Sequence, residues 1–302
     1  MNKRATICAL LAVFAWSTVA TAFKIALRHL DQFQLLFLAN VFSLLAVGLV
    51  LVFGGRWKKF RKTSLRQLRD AALLGLINPV AYYLILLKAY SLLPAQIAQP
   101  LNYTWALTLG LLSVPLLGQR LTKRDIVGGL ICYFGVVVIS TGGKLTGFTM
   151  ASPLGIALAL GSTIIWAFYW LGNTRLTQGE KGMDPVVALF VGFAFSLPVV
   201  ALINFFASDF TFTSSGIKAA AYIGAVEMGF TFVLWLTAMR LTTSTAKIAN
   251  LIFLSPFLSL VFIHFLLGEH VVPGTIVGLV FIVGGLLWQS GGSVSRQETE
   301  PI

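Results

Sequence analysis

An acidic residue in the middle of an apolar stretch is the strongest chemical signal in this sequence. Glu227 lies near the centre of the apolar segment 216–239. A charged side chain at the centre of a bilayer costs at least about 2.5–3.5 kcal/mol on insertion scales, so such a residue is protonated, paired or in contact with water. Glu227 is therefore predicted to be either a proton-coupling site or a structural partner of Lys247 or Lys88.

Aromatic and polar side chains form a second group of candidates, distributed over several apolar segments. Gln99, Asn102 and Tyr103 are three or four residues apart, so two pairs of them would share one face of a helix. Tryptophans usually form belts at the membrane interfaces, but four of those here fall midway along their segments. These positions favour a central cavity over lipid-facing or packed tryptophan. We expect the cavity to be lined by Trp16, Ser17, Thr18, Tyr82, Gln99, Asn102, Tyr103, Trp105, Trp166, Tyr169 and Trp235.

A cavity of this composition would bind a small amphipathic molecule. The rings would bury an apolar side chain, while Asn102, Gln99, Ser17 and Thr18 could hydrogen-bond a carboxylate or an ammonium group. Aromatic faces also attract organic cations. The residues therefore leave two substrate classes open, which are neutral or aromatic amino acids and cationic organic compounds.

The residue types needed for catalysis or for metal binding do not converge anywhere in the sequence. Its three histidines, His29, His264 and His270, are scattered, with no Cys, Asp or Glu at ligand spacing. Cys8 and Cys132 lie in apolar segments and form no disulfide or metal pattern. We therefore expect no catalytic residue, no metal and no cofactor, and a membrane-embedded enzyme or a sensor is a remote alternative.

The elements that position these residues are membrane-spanning helices. The chain is 57% hydrophobic and 11% charged, whereas soluble domains have roughly a quarter of their residues charged. Apolar segments near the ~20 residues needed to cross a bilayer recur throughout the chain. We predict an all-α integral membrane protein whose ten transmembrane helices lie at 5–24, 33–53, 71–91, 95–117, 125–141, 153–173, 185–206, 216–239, 245–267 and 271–289.

The sequence contains an internal duplication with an offset of 150 residues. The turn Leu-Leu-Gly-Gln at 116–119 recurs as Leu-Leu-Gly-Glu at 266–269, and Trp16 corresponds to Trp166. Two glycines follow each turn and are expected to pack helices closely, namely Gly128, Gly135, Gly278 and Gly285. The predicted units are a first five-helix repeat at 1–142, a second at 151–290 and a disordered cytoplasmic tail at 291–302.

The basic residues predict the orientation of the helices. Sixteen of the twenty-two Lys and Arg residues fall on the same side as the N-terminus, and cytoplasmic loops are the ones enriched in these residues. Both termini are therefore predicted to be cytoplasmic. Because each repeat has five helices, the second repeat must insert upside down, as in many transporters. The net charge of +12 is thus explained by loops beside the lipid bilayer, and we predict no nucleic-acid partner. No pattern indicates an oligomeric state.

The inverted five-plus-five arrangement, with a Leu-Gly-Gln/Glu turn before a glycine-bearing last helix in each repeat, resembles the EamA-type transporters of the drug/metabolite transporter superfamily. Within it, the segments 15–18, 101–105 and 165–169 are similar to those of YddG-type aromatic amino-acid exporters. The resemblance implies ten transmembrane helices around a basket-like central cavity. The residues to which it extends are Trp16, Asn102, Tyr103, Trp105, Trp166 and Tyr169.

The same resemblance implies a function and a location. It predicts a transporter in the bacterial inner membrane that exports small amphipathic metabolites from the cytoplasm by alternating access. Neutral or aromatic amino acids are the expected substrates, and organic cations, drugs or other small metabolites are the alternative. The protein is accordingly expected to be an exporter and not an enzyme.

Overall fold

The protein is helical over the residues that its structure, a computed structural model, describes. Those residues are 3–105, 107–109, 111–112, 123–143, 152–179, 181–241 and 250–297. Within these ranges no strand occurs. In chain order the helices are α1 (Lys3–Ala26), α2 (Gln32–Phe53), α3 (Trp57–Arg61), α4 (Leu65–Leu92), α5 (Ala95–Asn102), α6 (Lys123–Ser140), α7 (Pro153–Thr177), α8 (Pro185–Ala207), α9 (Ser214–Leu241), α10 (Ser255–Leu267) and α11 (Pro273–Gln297).

Six of these helices, α1, α2, α4, α7, α8 and α9, are long and apolar enough to cross a membrane. Shorter apolar helices lie at Ile126–Ser140, Leu251–Leu267 and Pro273–Trp288. Large apolar side chains face outwards, and Phe53 and Phe206 are 83% and 77% exposed. Because monomeric soluble proteins rarely expose apolar surface on this scale, the protein is a multi-pass membrane protein.

Each predicted span contains helix among its described residues, but the fourth one is not a single continuous helix. Within its predicted bounds of 95–117, α5 ends at Asn102 and residues 103–104 form a turn, and residues 113–117 lie outside the described ranges. Residues 245–249 of the ninth span, including Lys247, also lie outside them. The last helix, α11, ends at Gln297 and not at 289. It therefore includes the beginning of the segment 291–302, which was predicted to be a disordered tail.

Corresponding residues of the two halves begin corresponding helices. Asp31 caps α2, because its side chain accepts hydrogen bonds from the N–H groups of Phe33 and Gln34 at 2.8 and 3.0 Å. Asp184 caps α8 in the same way, by accepting from the N–H groups two and three residues further on at 3.0 and 3.4 Å. Such caps satisfy N–H groups that have no partner in the first turn. Each aspartate thus fixes where its helix starts.

Two long helices are irregular in one segment each: α4 is kinked within Leu76–Ala81, where Asn78 leaves the helical conformation (φ −139°, ψ 118°), and α9 contains a wider, π-helical segment, Ile223–Phe230. Pro79 accounts for the first segment, because proline lacks an N–H group and its ring collides with the preceding turn. No proline lies in the second segment, which contains Glu227. Since π-helical turns are frequent at functional sites, the Glu227 carboxylate in the second segment is a candidate functional group.

The last helix of each predicted repeat packs against the other through glycines. A Cβ atom added at Gly135 of α6 would lie 2.5 Å from the carbonyl oxygen of Gly278 in α11. One added at Gly285 would lie 2.6 Å from the carbonyl oxygen of Gly128. The predicted close packing through these glycines is therefore confirmed. Because the beginning of α6 contacts the end of α11, the two helices run antiparallel.

Contacts between loops define the two ends of the helical bundle. At one end, which we call the Asp184 end, Asp184 at the start of α8 contacts Arg56 in the loop after α2 at 3.0 Å. At the opposite end, Lys24 near the end of α1 donates a hydrogen bond to the carbonyl oxygen of Leu93 at 3.1 Å. A Cβ atom added at Gly155, at the start of α7, would lie 2.7 Å from the Leu93 side chain. Since α1 ends where α7 begins, these helices run in opposite directions.

Candidate functional site

Six aromatic rings from four helices meet near the middle of those helices. This ring cluster consists of Trp16 (α1), Tyr82 (α4), Trp166 and Tyr169 (α7), and Phe232 and Trp235 (α9). The ring centroids of Tyr82 and Trp166 are 4.6 Å apart, and Trp166 lies 5.9 Å from Phe232. Trp16 lies 5.6 Å from Phe232 and 5.4 Å from Trp235. Pairs at these distances attract one another beyond simple burial, so the four helices share one aromatic surface.

Five of the predicted lining residues belong to the ring cluster, and Phe232 was not predicted. Two further rings that were not among the predicted lining residues contact the cluster, Tyr83 at 4.9 Å from Tyr82 and Trp170 at 6.0 Å from Trp166. Phe232 connects the rings of α1 to those of α7, because it contacts both Trp16 and Trp166. The sequence could not single it out, since the chain has 24 phenylalanines and most lie in apolar segments. Trp105 is half-buried beside the core, and it makes no ring contact with the cluster among the described residues.

The predicted polar residues Asn102, at the end of α5, and Tyr103, directly after it, bind hydroxyl groups on three other helices. Asn102 accepts a hydrogen bond from the Tyr82 hydroxyl at 3.2 Å and donates one to Ser162 Oγ of α7 at 3.0 Å. The Tyr103 hydroxyl donates to Ser255 Oγ at the start of α10 at 2.7 Å. Asn102 therefore links Tyr82 of the ring cluster to Ser162 of α7, whereas the Tyr103 hydroxyl binds α10.

Gln99 is buried and only partly satisfied. Its Oε1 accepts a hydrogen bond from the hydroxyl of Ser259 in α10. Its Nε2 is buried without a hydrogen-bond partner in the described ranges. The spacing of Ser255 and Ser259, one turn apart, could have identified these partners, because residues four apart share a helix face. An amide donor of this kind, beside the Ser259 hydroxyl, is suited to a carboxylate or carbonyl oxygen.

The neighbouring residues Ser17 and Thr18 of α1 have different roles in this conformation. Ser17 is buried, and its hydroxyl donates to the carbonyl oxygen of Phe14 in its own helix at 2.5 Å. Thr18 Oγ1 lies 2.7 Å from the Tyr222 hydroxyl and 2.7 Å from Glu227 Oε1. Thr18 therefore connects α1 to the carboxylate of α9, and Tyr222 is a second neighbour that the sequence did not indicate.

The carboxyl group of Glu227 is buried with few partners. The residue is 1% exposed and lies in the π-helical segment of α9. Thr18 donates to Oε1, whereas Oε2 has no hydrogen-bond partner among the described residues. The hydroxyls of Thr21 and Thr231, about one helical turn along from Thr18 and from Glu227 respectively, are likewise buried without a partner among the described residues. A group of polar atoms that lack partners can accommodate a proton, a water molecule or a ligand group.

Two lysines were predicted as possible structural partners of Glu227, Lys88 and Lys247. Ion pairs in the described ranges involve Asp184 and Asp70 as the acidic partners, and none involves Glu227 or Lys88. Lys247 lies outside the described residues, so pairing with that lysine stays a prediction. Across the same ranges no group of three or more His, Cys, Asp or Glu side chains is arranged to hold a metal ion.

The chain is similar to transporters over nearly its whole length. The model of the EamA-like transporter family matches residues 3–141 and 153–290. An uncharacterized transporter of Archaeoglobus fulgidus is 25% identical and is aligned over 95% of this chain and 97% of that protein. The aromatic amino acid exporter YddG of Ancylobacter novellus is 26% identical, over 79% of this chain and 80% of that protein.

Two further comparisons complete this result. A protein of Streptantibioticus cattleyicolor named a "probable terminal-alkyne amino-acid exporter" is 25% identical over 78% of each chain. One solved crystal structure of a protein superimposes on this structure with a TM-score of 0.67. The match covers 99% of this chain and 100% of that chain. Its sequence is 22% identical, so this likeness concerns the fold alone. Because the family model matches both halves, the chain belongs to the EamA-like transporter family.

Proposed function

We propose that the protein is a ten-helix transporter of the bacterial inner membrane that exports neutral or aromatic amino acids by alternating access. The observation that carries this proposal is the ring cluster, because helices from both halves contribute rings to one aromatic surface. A site shared by two halves changes its access from one side to the other when the halves rock against each other. The substrate moves unchanged, so the protein is a transporter without enzymatic activity.

Contacts between corresponding residues support two inverted repeats. The close approach of Gly128 to Gly285 corresponds, at an offset of 150 residues, to that of Gly278 to Gly135. The Cys132 thiol lies 3.3 Å from the carbonyl oxygen of Ile282, the residue that corresponds to it in the second half. A two-fold axis in the membrane plane would relate such pairs, as in transporters built from inverted repeats. The repeats correspond to residues 1–142 and 151–290, with both termini cytoplasmic.

The chemistry of the site favours an amphipathic substrate. Rings bury an apolar side chain, and the unpartnered Gln99 Nε2 can donate to a carboxylate. The second oxygen of Glu227 can accept a hydrogen bond from an ammonium group, or it can bind a proton. An α-amino acid presents all three features. Two relatives carry the names of amino-acid exporters, which supports the same substrate class.

Glu227 is the group that we assign to energy coupling. A buried carboxylate without a nearby cation is costly, so a proton or a positively charged substrate must balance it. If the Glu227 carboxyl group binds either a proton or the substrate ammonium group but not both, each substrate molecule that leaves the cell is exchanged for a proton that enters it. Among the described residues Lys88 forms no ion pair with Glu227, so this lysine does not compete with a proton or a substrate for the carboxyl group.

Organic cations are the second candidate substrates. The same Glu227 oxygen, together with the tryptophan faces, would suit a quaternary amine. The two candidates differ in the carboxylate, which Gln99 and its neighbour Ser259 would bind and which a quaternary amine lacks. Substitution of Gln99 by leucine therefore distinguishes them, because it should impair transport of amino acids more than that of quaternary amines.

Transport by purified protein in liposomes tests the proposal. Liposomes loaded with labelled phenylalanine should release it faster than protein-free liposomes, and the released label should be unchanged phenylalanine. Trp166→Phe should weaken the apparent affinity by about tenfold or less, since an aromatic pair contributes about 0.5–1.5 kcal/mol. Trp57→Phe is the matched control, because Trp57 lies on α3 outside the ring cluster. Movement of quaternary amines without movement of any amino acid would contradict the proposal.

A further inference from the structure

A polar cavity of about 420 Å³ lies at the Asp184 end, away from the ring cluster. The loop after α2, the loop between α7 and α8 and the end of α9 all contribute to its wall. We call it the basic pocket, and the charged side chains in its wall are Lys59, Lys62, Lys181, Arg240 and Asp184. Its volume is in the range of sites that bind small molecules.

The charges of the basic pocket favour an anion. Four of the charged side chains in its wall are basic, and Asp184 is the acidic one. Asp184 is already engaged, because Arg56 and Lys59 each contact it at 3.0 Å and the first turn of α8 donates to it. Lys62 and Lys181 have no acidic partner among the described residues. The pocket therefore presents positive charge that the chain does not neutralise within those ranges.

The surroundings of the basic pocket have the character of a membrane interface. The short helix α3 carries Trp57 and Phe60, whose rings stack with centroids 5.2 Å apart. Phe60 packs against Phe190 of α8 at 5.9 Å, while Trp57 is 48% exposed. Tryptophan beside lysine and arginine at the end of a transmembrane helix is typical of the headgroup region. Leu65, on the next helix, is 85% exposed, which suits contact with lipid.

We propose that the basic pocket binds the phosphate of an anionic phospholipid headgroup, with Lys62 and Lys181 as its principal contacts. Basic pockets between transmembrane helices on the cytoplasmic side favour such headgroups. Phosphate is the shared chemistry of a lipid headgroup and a soluble phosphate ion, and the interfacial position of α3 favours the lipid. The leaflet follows from the predicted orientation, in which this end is cytoplasmic. The site is independent of the transported substrate.

Binding here would join the two halves of the protein. Lys62 belongs to the first half and Lys181 to the second, and both face the same cavity. A phosphate between them would add to the contacts that Asp184 already makes with Arg56 and Lys59. Anionic lipid is therefore expected to stabilise the conformation in which the Asp184 end is closed.

The test compares lipids and variants of the full-length protein in detergent. Native mass spectrometry and thermal melting should be measured with short-chain phosphatidylglycerol, with phosphatidylcholine and with inorganic phosphate. Phosphatidylglycerol should bind more tightly than phosphatidylcholine and raise the melting temperature more. Lys62→Gln with Lys181→Gln should weaken this binding by about tenfold or more, since each lysine near an anionic surface contributes roughly fivefold.

A matched variant separates the pocket from general surface charge. Lys58→Gln with Lys123→Gln removes the same charge from exposed lysines that do not line the cavity, and it should leave phosphatidylglycerol binding unchanged. Equal losses in both double variants, or equal binding of the two lipids, would overturn the proposal. If inorganic phosphate alone reproduces the stabilisation and phosphatidylglycerol adds nothing, the lipid assignment is wrong and the site takes soluble phosphate.

Discussion

Two buried carboxylates, Asp184 and Glu227, have opposite surroundings. Asp184 has a side chain that is 4% exposed, and it contacts Arg56 and Lys59 at 3.0 Å. Arg240 lies 3.7 Å away, and N–H groups of α8 complete its environment. Glu227 is 1% exposed, and among the described residues it accepts one hydrogen bond, from Thr18 at 2.7 Å. Two ion pairs at 3.0 Å and a third basic group balance the charge of Asp184, whereas no basic side chain of the described residues forms an ion pair with Glu227.

The difference supports the proposal that Asp184 is structural and that Glu227 is functional. A buried charge with several partners holds segments together, and removing one member of the group costs stability. A buried carboxylate without a cation costs stability by its presence, so its retention points to a role in binding or proton transfer. Asp184 connects loops at one end of the bundle, whereas Glu227 lies in a π-helical segment and contacts Thr18, two residues from Trp16 of the ring cluster. We therefore propose that exchange of protons and substrate takes place at Glu227.

The largest expected effect is that of Glu227→Gln on transport. The amide has the same shape but binds neither a proton nor an ammonium group by charge, so proton-driven phenylalanine transport should fall at least about tenfold. Thermal stability should be equal or higher, because a buried carboxyl group is replaced by a neutral one. Transport assays and melting curves on the same preparation check both statements. A variant that melts lower and transports normally would assign Glu227 a structural role.

Asp184→Asn should produce the opposite pattern. Asparagine can still cap α8, so the substitution removes mainly the charge that Arg56 and Lys59 share. The expected loss of stability is about 2 kcal/mol, between the values for surface and buried ion pairs. Transport per folded molecule should be retained. A large loss of transport at unchanged melting temperature would show that the two carboxylates are not separated in this way.

The pH dependence of stability sharpens the role of Asp184. Burial alone would raise the pKa of Asp184, but hydrogen bonds and charges from Lys59 and Arg56 outweigh it and hold this pKa at about 2. The ordinary value is about 3.9, so the group stabilises the folded state above pH ~4 and loses this contribution as the pH falls towards 2. Melting temperatures between pH 5 and 3 should therefore fall more for the wild-type protein than for Asp184→Asn. Parallel curves for the two proteins would contradict this assignment.

The smallest expected effect concerns the hydroxyl that contacts Glu227. Thr18→Val keeps the shape of the side chain and removes the hydrogen bond to Oε1, so the transport rate should fall about threefold to tenfold. Thr237→Val is the matched control, because the Thr237 hydroxyl donates to the carbonyl oxygen of Val233 within its own helix at 2.7 Å. Initial rates measured over a range of pH distinguish the two variants. Equal rates for both would indicate that Thr18 does not assist Glu227.

Part of this comparison could be predicted from the sequence. Glu227 was identifiable, because a carboxylate inside an apolar segment has no ordinary explanation. The helices were identifiable for the same reason, since long apolar segments have a known relation to bilayer thickness. The starts of α2 and α8 have a local signal as well, because aspartate is a favoured residue at the position before a helix and Asp31 and Asp184 both cap one. These signals depend on residue type and on local spacing alone.

Other features depend on contacts between distant segments and could not be predicted. The ion pairs of Asp184 with Arg56 and Lys59 join it to residues more than 120 positions earlier in the chain. The π-helical segment around Glu227 has no proline to mark it. Phe232 is one of many phenylalanines, and its place between Trp16 and Trp166 follows from how the helices pack. Tertiary packing therefore decides which members of a predicted set meet.

The direct test of the central assignment is proton movement during phenylalanine release. Liposomes containing the purified protein, phenylalanine and a pH-sensitive dye would be diluted into buffer without an imposed proton gradient. Exchange at Glu227 predicts that the lumen acidifies as phenylalanine leaves in the wild-type protein and in Asp184→Asn, and that it does not acidify in Glu227→Gln. Acidification that persists in Glu227→Gln, or phenylalanine release by the wild-type protein without any acidification, would contradict it.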